Sequence, residues 1–143
     1  MTSQTFRHRL RVLSFVTAIL ACHATSTRAQ TSDTTPPHLA TIAFTPTVID
    51  VTSSPQSVTV TASVTDDLSG TASVAVQFVS PSGSQIEPFN SLFLSRISGT
   101  ALNGVFRGQL QIPRFSEAGV WKLRVTTLSD GAGNTSSLTA ANL

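Results

Sequence analysis

The stretch Val58-Thr59-Val60-Thr61-Ala62-Ser63-Val64-Thr65 puts four aliphatic residues on one parity and four hydroxyl-bearing residues on the other. Successive side chains of a strand point to opposite faces, so this octapeptide predicts a strand with one buried and one solvated face. Ala72, Val74, Val76 and Phe78 repeat the rhythm, and Ser80-Pro81-Ser82-Gly83 then places proline and glycine where a type I turn takes them. Asn103-Gly104, a pair that tolerates positive φ, predicts a tight hairpin between Leu92 to Ala101 and Val105 to Ile112. Phe106, Leu110 and Ile112 share one face of the second arm. Trp121, Leu123 and Val125 form another inward row, opposite Lys122, Arg124 and Thr126. With Leu39 to Phe44 and Thr135 to Thr139 the count reaches about seven strands, and no helical period occurs after the first thirty residues. Such strands cannot bury their apolar faces singly. The expected fold class is therefore all-β, a two-sheet antiparallel sandwich.

The N-terminus has a different character. Arg7, Arg9 and Arg11 precede an apolar run of ten, Val12 to Ala21, which is too short to cross a bilayer and is followed by small and polar residues. This three-part pattern predicts a signal peptide over residues 1–29, cut after Ala29, with Ala24 as the second option. Residues 30–37 (QTSDTTPP) read as a linker and 38–143 as the folded domain. Ile19-Leu20-Ala21-Cys22 loosely resembles a lipobox, although leucine before the alanine fits poorly. Lipid on Cys22 would change a secreted protein into one anchored at the cell envelope. Nine residues follow Asn134, so either the chain stops once its last strand is paired or it is a fragment of a longer protein.

Export also changes the charge balance. Losing residues 1–29 leaves five basic residues (Arg96, Arg107, Arg114, Lys122 and Arg124) against seven acidic ones, a net charge of −2. The whole-chain pI near 9.5 belongs to the leader, and no basic, aromatic cluster remains to suggest nucleic acid as a partner. The mature chain has no cysteine after Cys22, so its stability must come from its apolar core.

Two local patterns carry a family resemblance. Glu117-Ala118-Gly119-Val120-Trp121-Lys122-Leu123 has the outline of the corner leading into strand F of immunoglobulin domains, with tryptophan in place of tyrosine and Leu123 in place of the disulfide cysteine. Thr65-Asp66-Asp67-Leu68-Ser69-Gly70 and Ser129-Asp130-Gly131-Ala132-Gly133-Asn134 each follow a strand. Together with Ser80-Pro81-Ser82-Gly83 they resemble bacterial immunoglobulin-like modules of exported and cell-surface proteins, over roughly residues 33–138. The resemblance implies an extracellular structural or adhesive module and no reaction.

Candidate chemistry is sparse. His38 is the one histidine of the mature chain and stands at the linker edge, which leaves neither a catalytic triad nor a zinc ligand set. Glu87 and Glu117, the acids a glycosidase pair would draw on, lie in apparent turns far apart in sequence. The pattern with geometry behind it is a calcium site. In an immunoglobulin sandwich the B–C and F–G loops and the start of strand A share one end, which would bring Asp33, Asp66, Asp67, Asp130 and Asn134 together. The same residue types also serve turns with no metal involved. Asn134-Thr135-Ser136 fits a glycosylation sequon but reads as a plain turn in a chain with a bacterial-looking leader.

The expected function is that of a non-enzymatic structural or adhesive module, secreted or held at the cell envelope. Its partner would be a protein or glycan at the cell surface, with no transmembrane helix in the mature chain and no cofactor beyond the calcium hypothesis. A small carbohydrate- or ligand-binding domain is the alternative, with Phe89 and Phe93 as its spare aromatics. An accessory domain of a longer exported hydrolase is a third.

Overall fold

The computed structural model describes residues 31–139, which form strands and, among the described residues, no helix. The expected export segment, its cleavage point and Cys22 lie outside these residues. The strands are β1 (His38–Thr45), β2 (Gln56–Thr65), β3 (Thr71–Val79), β4 (Ile86–Phe93), β5 (Ser95–Gly99), β6 (Asn103–Ile112), β7 (Lys122–Asp130) and β8 (Thr135–Leu138). One sheet has the order β1-β2-β6-β5 and the other β4-β3-β7-β8, with every neighbouring pair antiparallel. This is the ABED and CFG arrangement of an immunoglobulin-like sandwich, with β4 added beside strand C.

The rhythm of β2 sets the core. Val58, Val60, Ala62 and Val64 are buried, while the intervening threonines and serine stay half-exposed. From the opposite sheet Val74, Val76 and Phe78 of β3 meet them, joined by Leu123, Val125 and Leu128 of β7. Phe44 of β1 meets Phe78 edge to face across the two sheets at 5.2 Å, a contact of the kind worth about 0.5–1.5 kcal/mol.

The structure has eight strands where the sequence predicted about seven, and the difference lies in residues 86–101. The predicted strand from Leu92 to Ala101 changes sheet partway. Its first residues finish β4 in one sheet, and β5 continues in the same direction in the other. Leu94 makes the crossing, its N–H still bonded to the Val74 carbonyl at 2.8 Å and its side chain in the core at 7% exposure. Gly108, on the inward parity of β6 between Phe106 and Leu110, makes room for it. A Cβ at Gly108 would lie 2.7 Å from Leu94 Cδ2 and 3.0 Å from Leu92 Cδ2.

Two other expectations shift. The hairpin before β6 turns through residues 100–102, so Asn103 and Gly104 already belong to the strand and the positive φ falls at Gly99 (76°). On β3 the outward Gln77 is also buried, at 6% exposure. Its Nε2 donates to the carbonyls of Pro88 and Phe89, where β4 bulges away from the ladder, and its Oε1 accepts from Arg124 Nε at 3.1 Å. The amide thus takes up carbonyls that the bulge removes from backbone pairing.

The crossing gives a direct test. Gly108→Val should destabilise the chain by about 1–3 kcal/mol through overpacking against Leu94 and Leu92. Adding Leu94→Ala in the same chain should recover part of that loss. Urea unfolding of the single and double variants measures both effects.

Candidate functional site

The strand directions give the sandwich two unlike ends. Residues 66–70 (β2 to β3), 100–102 (β5 to β6) and 131–134 (β7 to β8) lie at one end, with the segment entering β1. Backbone bonds tie these loops together: Asp66 N–H to the Leu102 carbonyl at 2.9 Å, Thr71 N–H to Ala101 at 2.8 Å, and Gly131 N–H to Gly70 at 2.9 Å.

Three of the acids expected here meet. Asp33, Asp66 and Asp130 each offer an oxygen, and these oxygens all lie within 4.8 Å of one another. Asp67 does not join them; it is exposed on the loop. Asp66 turns inward because its Oδ2 caps its own loop, accepting from Leu68 N–H at 3.1 Å and Gly70 N–H at 2.6 Å. Asp130 is buried at 4% exposure, and its Oδ1 accepts from the N–H groups of Ala132 and Asn134 at 2.9 and 2.8 Å. Asp33 precedes the first strand but is fastened to the loops, accepting from Ser69 N–H at 2.8 Å and Thr35 N–H at 3.0 Å. Asn134 acts here as a donor. Its Nδ2 reaches Asp130 Oδ2 at 2.7 Å and the Asp33 carbonyl at 3.2 Å, which braces the group.

These bonds hold carboxylates in the charged form. The Ser69 hydroxyl, then the Thr35 amide, lower the pKa of Asp33. Burial pushes Asp130 upward, but hydrogen bonds from the Asn134 side chain and from the Asn134 and Gly133 amides outweigh it and leave the carboxyl below its ordinary value. The charge acting on Asp130 is that of Asp33, a second acid, which opposes the lowering.

The opposite end is apolar. The β1–β2 connection and the β6–β7 connection enclose a groove of about 550 Å³, whose floor includes Phe44, Val58, Phe78 and Ile112. Its rim carries Val48, Phe115 and Val120 at 86%, 69% and 81% exposure. Phe115 has a positive φ of 64°. Such backbone costs a non-glycine residue about 1–3 kcal/mol. It is kept there by its N–H bond to the Val51 carbonyl at 3.0 Å and by the Arg114 guanidinium 4.1 Å above its ring.

Trp121, expected in the inward row with Leu123 and Val125, is half-buried in the wall of this groove. Its indole N–H donates back to the Glu117 carbonyl at 2.9 Å. That is the bond a tyrosine hydroxyl makes to upstream backbone in the corner of an immunoglobulin domain. Glu117 also bridges loops. Its carboxylate accepts from the Ser82 hydroxyl at 2.7 Å and the Ser82 N–H at 3.1 Å. Glu87 sits on β4 rather than in a turn, and His38 opens β1 exposed. The groove itself escaped the sequence reading. Its signal was the isolated apolar residues Val48, Phe115 and Val120 among turn residues, which resemble ordinary loop scatter.

Comparison of the chain with protein-family models, with curated proteins and with solved structures found no match in any of the three.

Glu117 generates a pH test. The hydroxyls of Ser82 and then Ser80 hold its pKa below the ordinary 4.5. The folded chain therefore keeps the carboxylate charged at pH values where the unfolded chain protonates it. Its contribution is complete above pH 4.5 and lost as pH falls through the lowered folded value. Glu117→Gln should lower stability at neutral pH and flatten its decline toward about pH 3, as measured by denaturant midpoints across that range.

Proposed function

We propose that this chain is a non-enzymatic structural or adhesive module of the exported, immunoglobulin-like kind, and that it meets a protein partner through its apolar end. The observation that carries the reading is the rim of Val48, Phe115 and Val120 around a groove floored by core residues. Isolated exposed hydrophobics are ordinary, but a contiguous set around a concavity marks an interaction surface. Phe115 adds to this, because an aromatic side chain held outward on unfavourable backbone opposes stability and calls for another use. The resemblance to bacterial surface modules and the leader-like N-terminus support an extracellular setting.

A second reading has its own observation. Phe89 and Phe93 on the edge strand β4 are 82% and 64% exposed, as an aromatic platform for carbohydrate requires. The two readings predict different sensitive residues.

Phe115→Gly relieves positive-φ strain, so it should leave the melting temperature unchanged or raised. Paired with Val120→Ser, it should weaken adhesion to whole cells by about tenfold or more, since a few buried anchors dominate such contacts. A glycan-array signal abolished by Phe89→Ala and Phe93→Ala, with the rim variants binding normally, would transfer the function to β4.

A further inference from the structure

We propose that Asp33, Asp66 and Asp130 form a divalent-cation site at the loop end of the sandwich, and that its ion is calcium. The inference is independent of the adhesive reading, since it concerns the opposite end of the molecule. Three chain regions, far apart in sequence, bring carboxylate oxygens within 4.8 Å of one another. Oxygens sharing one calcium stand at about 2.3–2.6 Å from it and so up to roughly 5 Å apart, which accommodates this spacing without rearrangement. Magnesium, at about 2.0–2.1 Å and rigidly octahedral, keeps several waters and is less suited to a cage of protein carboxylates. The donor set is all oxygen, as hard cations prefer.

The acids alone would not make a site. The independent observation is unsatisfied oxygen at the same place. Asp66 Oδ1 has less than 1 Å² of exposed surface and no hydrogen-bond partner, while its twin Oδ2 is taken by two backbone amides. Thr71 is buried at 7% exposure, and its Oγ1 is likewise without a partner. Thr71 pairs with Asp130 across the β3–β7 ladder, and directly opposed side chains stand on the same side of a sheet. Buried oxygens left bare cost free energy unless something positive meets them. A cation would answer both bare oxygens at once. Asn134 is then a positioning residue, and Asp67 plays no part.

The bound ion would clamp the segment before β1 to the β2–β3 loop and the end of β7, because Asp33 is the ligand that comes from the chain ahead of β1. The test uses the full chain, stripped with chelator and followed by calorimetric titration and thermal melting with calcium chloride or magnesium chloride. One calcium per chain is expected, with affinity in the range of extracellular modules, about 0.1–1 mM, and a rise in melting temperature that grows with calcium. Asp66→Asn keeps an oxygen to cap Leu68 and Gly70, and should weaken calcium at least about tenfold. Asp33→Asn, outside both loops, should do the same should Asp66→Asn fold poorly. Asp67→Asn should titrate like the parent. Absence of both heat and melting shift in millimolar calcium would overturn the site. Calcium affinity unchanged in Asp66→Asn and Asp33→Asn would do so equally. A magnesium response equal to that of calcium would overturn the choice of ion.

Discussion

Face-to-face burial of two valine-rich sheets is the constraint from which the rest of the molecule follows. No cysteine occurs after Cys22, so among the described residues no disulfide supports the fold. Its largest fully buried side chains are Leu128, Val60, Val64, Val74, Val76 and Val125, which come from β2 of one sheet and from β3 and β7 of the other. Branched side chains of this kind have few rotamers to lose and pack well on pleated surfaces. A slip of one residue in β2 would exchange Val60 for Thr61 on the inner face, so the alternation fixes the pairing as well as the packing.

From that pairing come two ends with opposite chemistry. The strands deliver acids and turn residues to one end and aliphatic and aromatic residues to the other. At the first end backbone amides are spent on holding carboxylates in place, and the loops are cross-linked through the backbones of Leu102, Ala101 and Gly70. At the second the connections are longer and, besides the Phe115 N–H bond to Val51, are pinned by side chains: Glu117 on Ser82, Trp121 on Glu117, and Arg114 Nε on the Thr52 carbonyl. A polar end tied through backbone bonds and an apolar end braced by side chains are thus both products of one strand order.

Much of the fold could be read in advance because its core strands obey a strict period of two. That period says nothing about which sheet a residue joins. Leu92 and Leu94 keep the same parity while the backbone leaves one sheet for the other, so the crossing left no mark on the pattern. β4 was hidden for another reason: Pro88 and a bulge break its ladder, which an edge strand tolerates. At the acid end the sequence indicated convergence through strand directions, but it could not separate Asp66 from its neighbour Asp67. Which of two adjacent loop residues turns inward depends on a cap closed over Leu68 and Gly70, a choice of local geometry. Trp121 had the correct parity, yet it stands just ahead of β7, where the sheets no longer cover it fully.

The edge strands β1 and β8 both begin at the acid end and run toward the apolar one. A pull that lifts His38 away at the top and draws Leu138 down at the bottom slides each edge strand along its neighbour instead of peeling it off rung by rung. The rungs then share the load. β8, with four residues, has the shorter ladder of the two and would give way first, passing the load to β7 and its longer ladder on β3.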